Sequence, residues 1–250
     1  MTTPSVENTP HVVPSISSAL DLKNVINDRA VLIDTVKASG TITIHESSGE
    51  LLSYPVVVMF KQPDNLYLRA YQQLMPTIFS IISSEGNFWL YIPAENTIFT
   101  GKNASLNYNT EYDVSITPDF LLQSLFSRAI PEAASVNMVR NEDFYTLFLV
   151  KKENNLKMLT RTLWLDTASL NCVKELRYSL KGYMLFEITR NNFTFDKQTA
   201  INIAQTISIR NVLTNVSVTF DFKKVLINEE IEDRVFEFHY PEAVLVEKFE

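Results

Sequence analysis

The sequence predicts a mainly β fold of α+β class, an antiparallel barrel or strongly curved sheet carrying two amphipathic helices. Three observations predict it. From residue 41 onward the apolar residues recur with period two through about a dozen segments. Short turns separate these segments, a spacing that suits a continuous meander. Only two stretches break the pattern with helical spacing, and each has an apolar stripe to bury, most cheaply across one face or one open end of the sheet.

Residues 1–15, "MTTPSVENTPHVVPS", are polar with three prolines and read as an extended tether, leaving 16–250 as a single domain. Ser18 and Asp21 have capping-box spacing. Val25, Ile26, Arg29, Leu32, Ile33 and Val36 then recur at helical intervals until Gly40, which predicts a helix over 18–38. Strands are expected at 41–46, 52–61, 65–72, 77–84, 87–92 and 97–102. The stretch "TPDFLLQSLFSRAIPE" interrupts them. Thr117 is placed to cap, Pro118 suits a first helical position, and Phe120, Leu121, Leu125 and Phe126 form a stripe, predicting a helix over 117–129. Further strands follow at 136–151 with a break near Asn141, then 159–166, 172–180, 184–195, 202–210 and 216–227, with a helical turn at 230–234.

Composition narrows the function classes. The net charge of -7 repels phosphate backbones, and the short basic pairs Lys151/Lys152 and Lys223/Lys224 do not reverse it, so nucleic acid is a poor partner. Cys172 is the sole cysteine, so no intrachain disulfide forms. No run of 18 apolar residues occurs to span a bilayer as a helix. The first residues lack the pattern of an export signal, so the chain is expected to be cytosolic or to begin after a removed one.

Catalytic and metal-binding sets are not found. His11, His45 and His239 have no metal or triad spacing, His45 and Glu46 are adjacent on a strand and so face opposite ways, and Cys172 reads as a small core residue. Five glycines leave no phosphate-binding loop to hide. The chain is therefore read as no enzyme and without a cofactor.

What remains is surplus apolar surface. In "EGNFWLYIPAENTIFTG" (85–101), Phe88, Leu90 and Ile92 face one way and Trp89 and Tyr91 the other, so neither side is polar. Most such aromatics fill a core. The alternative is a concave face lined for an acyl chain, whose sixteen or so methylenes would contribute on the order of 10 kcal/mol at ~0.8 per CH₂. A second feature is "YQQLMPT" (71–77), where Leu74 and Met75 put apolar bulk at a turn. Either they fold back on a helix or they probe a membrane or a lipidated partner.

Four stretches together resemble the lipoprotein-localisation superfamily of Gram-negative envelopes, the Lol-type carriers and acceptors. "NDRAVLIDTVKASGTITI" resembles its first helix and strand, and "VVVMFKQPDNLYLRA" its strand, Lys-x-Pro and next strand. The 85–101 hairpin is similar to its Asp/Glu-Gly, aromatic, Tyr-x-Pro hairpin, and "NEEIEDRVFEFHYPEAVLVE" to its short acidic helical turn, Phe-x-Phe, Pro and terminal Val. The resemblance implies an unclosed antiparallel β-barrel with helices as a lid over an apolar cavity. It also implies a non-enzymatic envelope lipoprotein that binds lipid or lipoprotein acyl chains, as carrier or acceptor in outer-membrane lipoprotein sorting. Lipid-binding residues are then expected at Phe60, Leu66, Leu68, Phe88, Trp89, Leu90, Tyr91, Phe120, Leu121 and Leu125, with Leu74 and Met75 as a membrane or partner loop. Carriers of the family tend to have Arg before the proline matching Pro63, where it latches the lid. Here Gln62 stands in that place, which points away from a latched carrier cycle. The family context further implies the periplasmic face of the outer membrane, with an export signal and lipidated cysteine preceding the tether. The rival readings are a structural or sensing lipoprotein that binds proteins, and an enzyme for a hydrophobic substrate.

Overall fold

The computed structural model describes residues 16–72, 76–103, 118–125, 129–153, 156–239, 241 and 244–249. Helix α1 (Ala19–Val31) is followed by β1 (Thr35–His45), β2 (Leu51–Lys61), β3 (Asn65–Tyr71), β4 (Thr77–Ser84), β5 (Asn87–Ile92) and β6 (Thr97–Lys102). Helix α2 (Pro118–Leu125) precedes β7 (Ser135–Arg140), β8 (Phe144–Glu153), β9 (Leu156–Asp166), β10 (Cys172–Tyr178), β11 (Met184–Asp196), β12 (Ile201–Asn211), β13 (Ser217–Ile227) and the terminal β14 (Leu245–Phe249).

All of these strands join one curved, unclosed sheet in the order β14-β6-β5-β4-β3-β2-β1-β13-β12-β11-β10-β9-β8-β7. Consecutive strands pair antiparallel, as short hairpins dictate. The exceptions are the β1–β13 ladder, antiparallel but between distant segments, and β14, which lies parallel to β6. β6 and β7 thus stand toward opposite ends of the sheet, and the segment joining them carries α2. The chain must cross the sheet to connect them, which explains why α2 packs over its interior face.

Inward residues alternate as the strand period requires: Leu66, Leu68 and Ala70 in β3 are fully buried while Tyr67 and Arg69 are half-buried on the other side. The larger core gathers β1–β4 and β11–β13 beneath α2, including Val56, Phe60, Leu68, Ile188, Ile209 and Phe220. A smaller one sets Leu22 of α1 with Leu147, Leu149, Leu163 and Leu165.

Helix α1 packs against β8 and β9. Its start is a full capping box, with Ser18 Oγ accepting from the Asp21 N–H at 3.1 Å and the Asp21 carboxylate accepting from the Ser18 N–H at 2.8 Å. Lys23 donates to the Pro131 carbonyl (2.9 Å) and Arg29 to the Leu170 carbonyl (2.8 Å), tying it to the ends of the far strands.

The helix expected over 18–38 ends at Val31, and β1 begins at Thr35, six residues before the expected start at 41. Asn228, just past β13, accounts for the stop. Its side chain donates to the Leu32 carbonyl (2.8 Å) and accepts from the Asp34 N–H (2.8 Å), capturing groups that another helical turn would use. Thr35, Val36 and Ala38 then alternate as strand residues. The break near Asn141 lies where expected, between β7 and β8. The helical turn expected at 230–234 is a single 3₁₀ turn at Asp233–Phe236, and β14 was not anticipated. The tether, the capping Thr117, the end of the second helix at 126–128, and Leu74 and Met75 all lie outside the described residues.

Candidate functional site: an apolar pocket and a charged cleft under one short helix

An eight-residue helix is too short to persist alone in water, so α2 is held by what it buries. Phe120, Leu121 and Leu125 are all buried, each contributing about 1.5–3 kcal/mol. The Phe120 ring stacks on Phe186 of β11 with centroids 3.7 Å apart. The helix stands between two hollows.

On one side lies a pocket of about 280 Å³ whose described side chains are aliphatic and aromatic, walled by Ile42, Leu68, Phe79, Leu90 and Phe220 and roofed by Leu121. On the other side is a cleft of about 90 Å³ with Leu125, Ile33, Val36 and Phe222 among its walls, and with Arg29, Arg161, Glu175 and Arg190 among them as well.

The charged residues of that cleft follow from strand parity. Arg161 pairs opposite Arg177, and Leu163 opposite Glu175, so all four point from β9 and β10 to the same interior face. Glu175 is 1 % exposed. One of its oxygens accepts from Arg161 Nε (2.9 Å) and Arg177 Nε (2.7 Å), the other from Arg190 Nη2 (3.3 Å). Burial by itself would raise the Glu175 pKa. The three guanidiniums, Arg161 foremost, overcome that and hold the carboxyl well below its ordinary range. Burial draws the Arg177 pKa down, against the pull of Glu175. The cluster also grips α2: Arg190 Nη2 donates to the Ser124 carbonyl at 2.8 Å, and the Arg177 guanidinium lies 5.0 Å from the centre of the Phe120 ring.

Of the expected lipid-binding residues, Leu68, Leu90 and Leu121 meet around the apolar pocket, and Leu125 lines the charged cleft. Phe60, Leu66 and Phe120 are packed within the main core, and Phe88 is buried on the interior face. Trp89 and Tyr91 face the opposite side of the sheet. There Trp89 stacks on Phe238 (5.8 Å, 4° between planes), so the C-terminal segment covers the outer face of a strand apolar on both sides. Gln62 donates to the carbonyls of Ala30 and Ile33. The amide thus ties the end of α1 to the β2–β3 turn despite the missing arginine.

His45 and His239 are exposed, and Arg69 donates to Thr77 Oγ1 on the outer face (2.8 Å). Cys172 is half-buried on the cleft wall, 3.7 Å from Arg190 Nη1, and burial pushes its thiol pKa up, away from nucleophilic use. Among the described residues no three His, Cys, Asp or Glu side chains converge as metal ligands. No helix among them is long and apolar enough to cross a membrane. The Glu175 cluster escaped the sequence reading. Its signal was there in "TRTLW", "KELRY" and "EITRN", where charged residues occupy inward positions of otherwise apolar strands.

The sequence matches no family model and no curated protein. Its fold is shared with solved structures of low sequence identity. An outer membrane lipoprotein-sorting protein domain from Vibrio parahaemolyticus superposes with a TM-score of 0.61 at 17% identity, covering 87% of this chain and 97% of that one. A DUF1329 family protein from Desulfovibrio piger gives 0.61 at 12% identity over 88% and 95%. A LolA superfamily protein from Nitrosomonas europaea gives 0.60 at 15% identity over 89% and 99%. The resemblance read from the sequence is thus matched at the level of fold.

Proposed function

We propose that this chain is a non-enzymatic envelope protein that binds lipid or lipoprotein acyl chains, as acceptor or carrier in lipoprotein sorting. The observation that carries the reading is the pocket under Leu121, whose described side chains are all apolar. Apolar walls favour an alkyl chain by ~0.8 kcal/mol per methylene. At about 280 Å³ the pocket falls just under the ~300–1,000 Å³ of ordinary small-molecule sites. Withdrawing α2 takes Leu121 from one hollow and Leu125 from the other, uniting them into a longer trough. The likeness of fold to a lipoprotein-sorting domain supports the same reading. In this reading the protein works in the periplasm, its N-terminal tether lipid-anchored to the outer membrane. Within this reading Leu68, Leu90, Leu121 and Leu125 touch the chain, while Phe60, Leu66, Phe88 and Phe120 shape the surface behind it.

Native mass spectrometry of protein purified from a bacterial envelope is expected to show a lipid adduct that organic extraction removes. Leu90→Glu, a charge set on the pocket wall, is expected to reduce adduct occupancy about tenfold, since an unpaired carboxylate disfavours an apolar site. Protein repeatedly free of lipid refutes the reading.

Leu74 and Met75 complete the proposal as a contact with membrane or lipidated partner. Leu74→Glu is expected to weaken binding to anionic phospholipid vesicles several-fold with no change in thermal midpoint. Unchanged binding removes the loop from the function.

A further inference from the structure

The charged cleft holds more cationic groups than its architecture uses. Among the described residues, three guanidiniums, those of Arg29, Arg161 and Arg190, stand on its wall against the single carboxylate of Glu175, in a chain whose net charge is -7. Arg29 is committed to the carbonyls of Leu170 and Ser169. Glu175 is shared between Arg161 and Arg190 on the wall and also serves Arg177. Arg190 is 5 % exposed, yet its Nε–H has no acceptor, and the Ser124 hydroxyl above it on α2 is likewise buried without a partner.

A buried guanidinium is expensive unless its charge is answered and its donors are taken up. One arginine would suffice to neutralise Glu175, and one hydrogen bond to the Ser124 carbonyl would suffice to hold α2. The surplus is explained by an anion that arrives from outside the chain.

We propose that the Arg161–Arg190 wall of this cleft binds the anionic headgroup of an amphiphile whose tail occupies the apolar pocket on the far side of α2. This deepens the lipid-binding reading and rests on it. The linings divide the work. The cleft presents guanidiniums to a carboxylate or phosphate group. The described side chains around the other pocket are all apolar and offer a headgroup nothing comparable. Leu121 and Leu125 lie one helical turn apart on α2 and face the two hollows, so a ligand passing beneath the helix meets greasy walls at one end and guanidiniums at the other. The headgroup would take the donors that Glu175 and the Ser124 carbonyl leave over, through charge-assisted hydrogen bonds shielded from water. Arg190 would then report occupancy to α2, because the same guanidinium binds the helix carbonyl.

The test holds the tail constant and changes the head. Delipidated full-length protein is titrated at pH 8 and low salt with dodecanoate, dodecyl phosphate, dodecanol and dodecyltrimethylammonium, each displacing a fluorescent alkyl probe. At least one of the two anions is expected to bind about tenfold more tightly than dodecanol, a difference of about 1.4 kcal/mol, with the cation weakest. The stronger anion identifies the source, a fatty acid if dodecanoate and a phospholipid if dodecyl phosphate. Arg190→Gln is expected to bring that anion to the affinity of the alcohol, so that the anion-to-dodecanol ratio measured on the variant falls from about tenfold to about one. If that variant does not fold, the headgroup series on the unaltered protein decides alone. Equal binding of dodecanol and both anions overturns the headgroup site and leaves the apolar pocket standing. Binding of none of the four overturns both.

Discussion

Glu175→Ala is expected to lower the free energy of unfolding by about 3–5 kcal/mol, the loss that follows when one partner of a buried ionic cluster is removed. The reason is the company left behind. Arg161, Arg177 and Arg190 would face one another across β9, β10 and β11 without the carboxylate they share. Arg190 and Arg177 also touch α2 through the Ser124 carbonyl and the Phe120 ring, so the damage should reach the helix and loosen the stack of Phe120 on Phe186. Denaturant unfolding measures the first effect, and hydrogen exchange along 118–125 the second. A change below about 1 kcal/mol, the worth of a surface ion pair, would mean the cluster does not organise the sheet. The same carboxylate sets a pH dependence. Its pKa is lowered in the folded chain and ordinary, 4.5, in the unfolded one. Its contribution is therefore complete above 4.5 and is lost as the pH falls below that value, where the unfolded chain takes up the proton first. Glu175→Gln should flatten this part of the profile.

Gly40→Ala is expected to be as damaging, although alanine adds a single methyl group. A Cβ at position 40 would lie 2.0 Å from the Asp221 carbonyl oxygen and 2.7 Å from the Phe222 Cα. Both are backbone atoms of β13, which cannot swing aside like a side chain. The site is a register shift in the β1–β13 ladder between Ser39 and Gly40, where the neighbouring strand comes unusually close. Relief requires parting the two strands, which costs about 3 kcal/mol or more. Thermal and denaturant midpoints should fall together, or the protein should be recovered only as aggregate. Gly49→Ala is the control: it leaves the space around a surface turn open, with only its left-handed backbone to strain.

The two positions also mark what could be read in the sequence. Apart from the start of β1, period-two alternation placed the strands of the meander within a few residues of their observed ends, because each buries one face against the core. Local chemistry also fixed the capping box at Ser18 and the proline at the start of α2. The failures have a common physical origin in contacts between distant parts of the chain. Asn228 stops α1 at Leu32 from nearly two hundred residues away, so helical periodicity in "LIDTVKAS" overran the true end. β14 is laid against β6 by pairing that its own five residues do not announce. At the site, Leu68, Leu90, Leu121 and Leu125 were legible as apolar residues of strands and a helix stripe, while the face that is interior was not. Glu175 and its arginines were not, since a charge inside a strand is ordinarily a solvated one, and only the sheet's curvature shows which face is interior.

The β1–β13 ladder is where β1–β6 and the later strands become one sheet. Each part can zip up hairpin by hairpin, every step closing a short loop. The junction pairs residues roughly 180 positions apart, from Val36 with Ile227 to His45 with Ser217, and its entropy must be met before any of its contacts form. Joining β1 to β13 is accordingly the pairing with the largest loop-closure cost in the sheet. Gly40, in the middle of that junction, bears on how fast the molecule matures as well as on how firmly it holds.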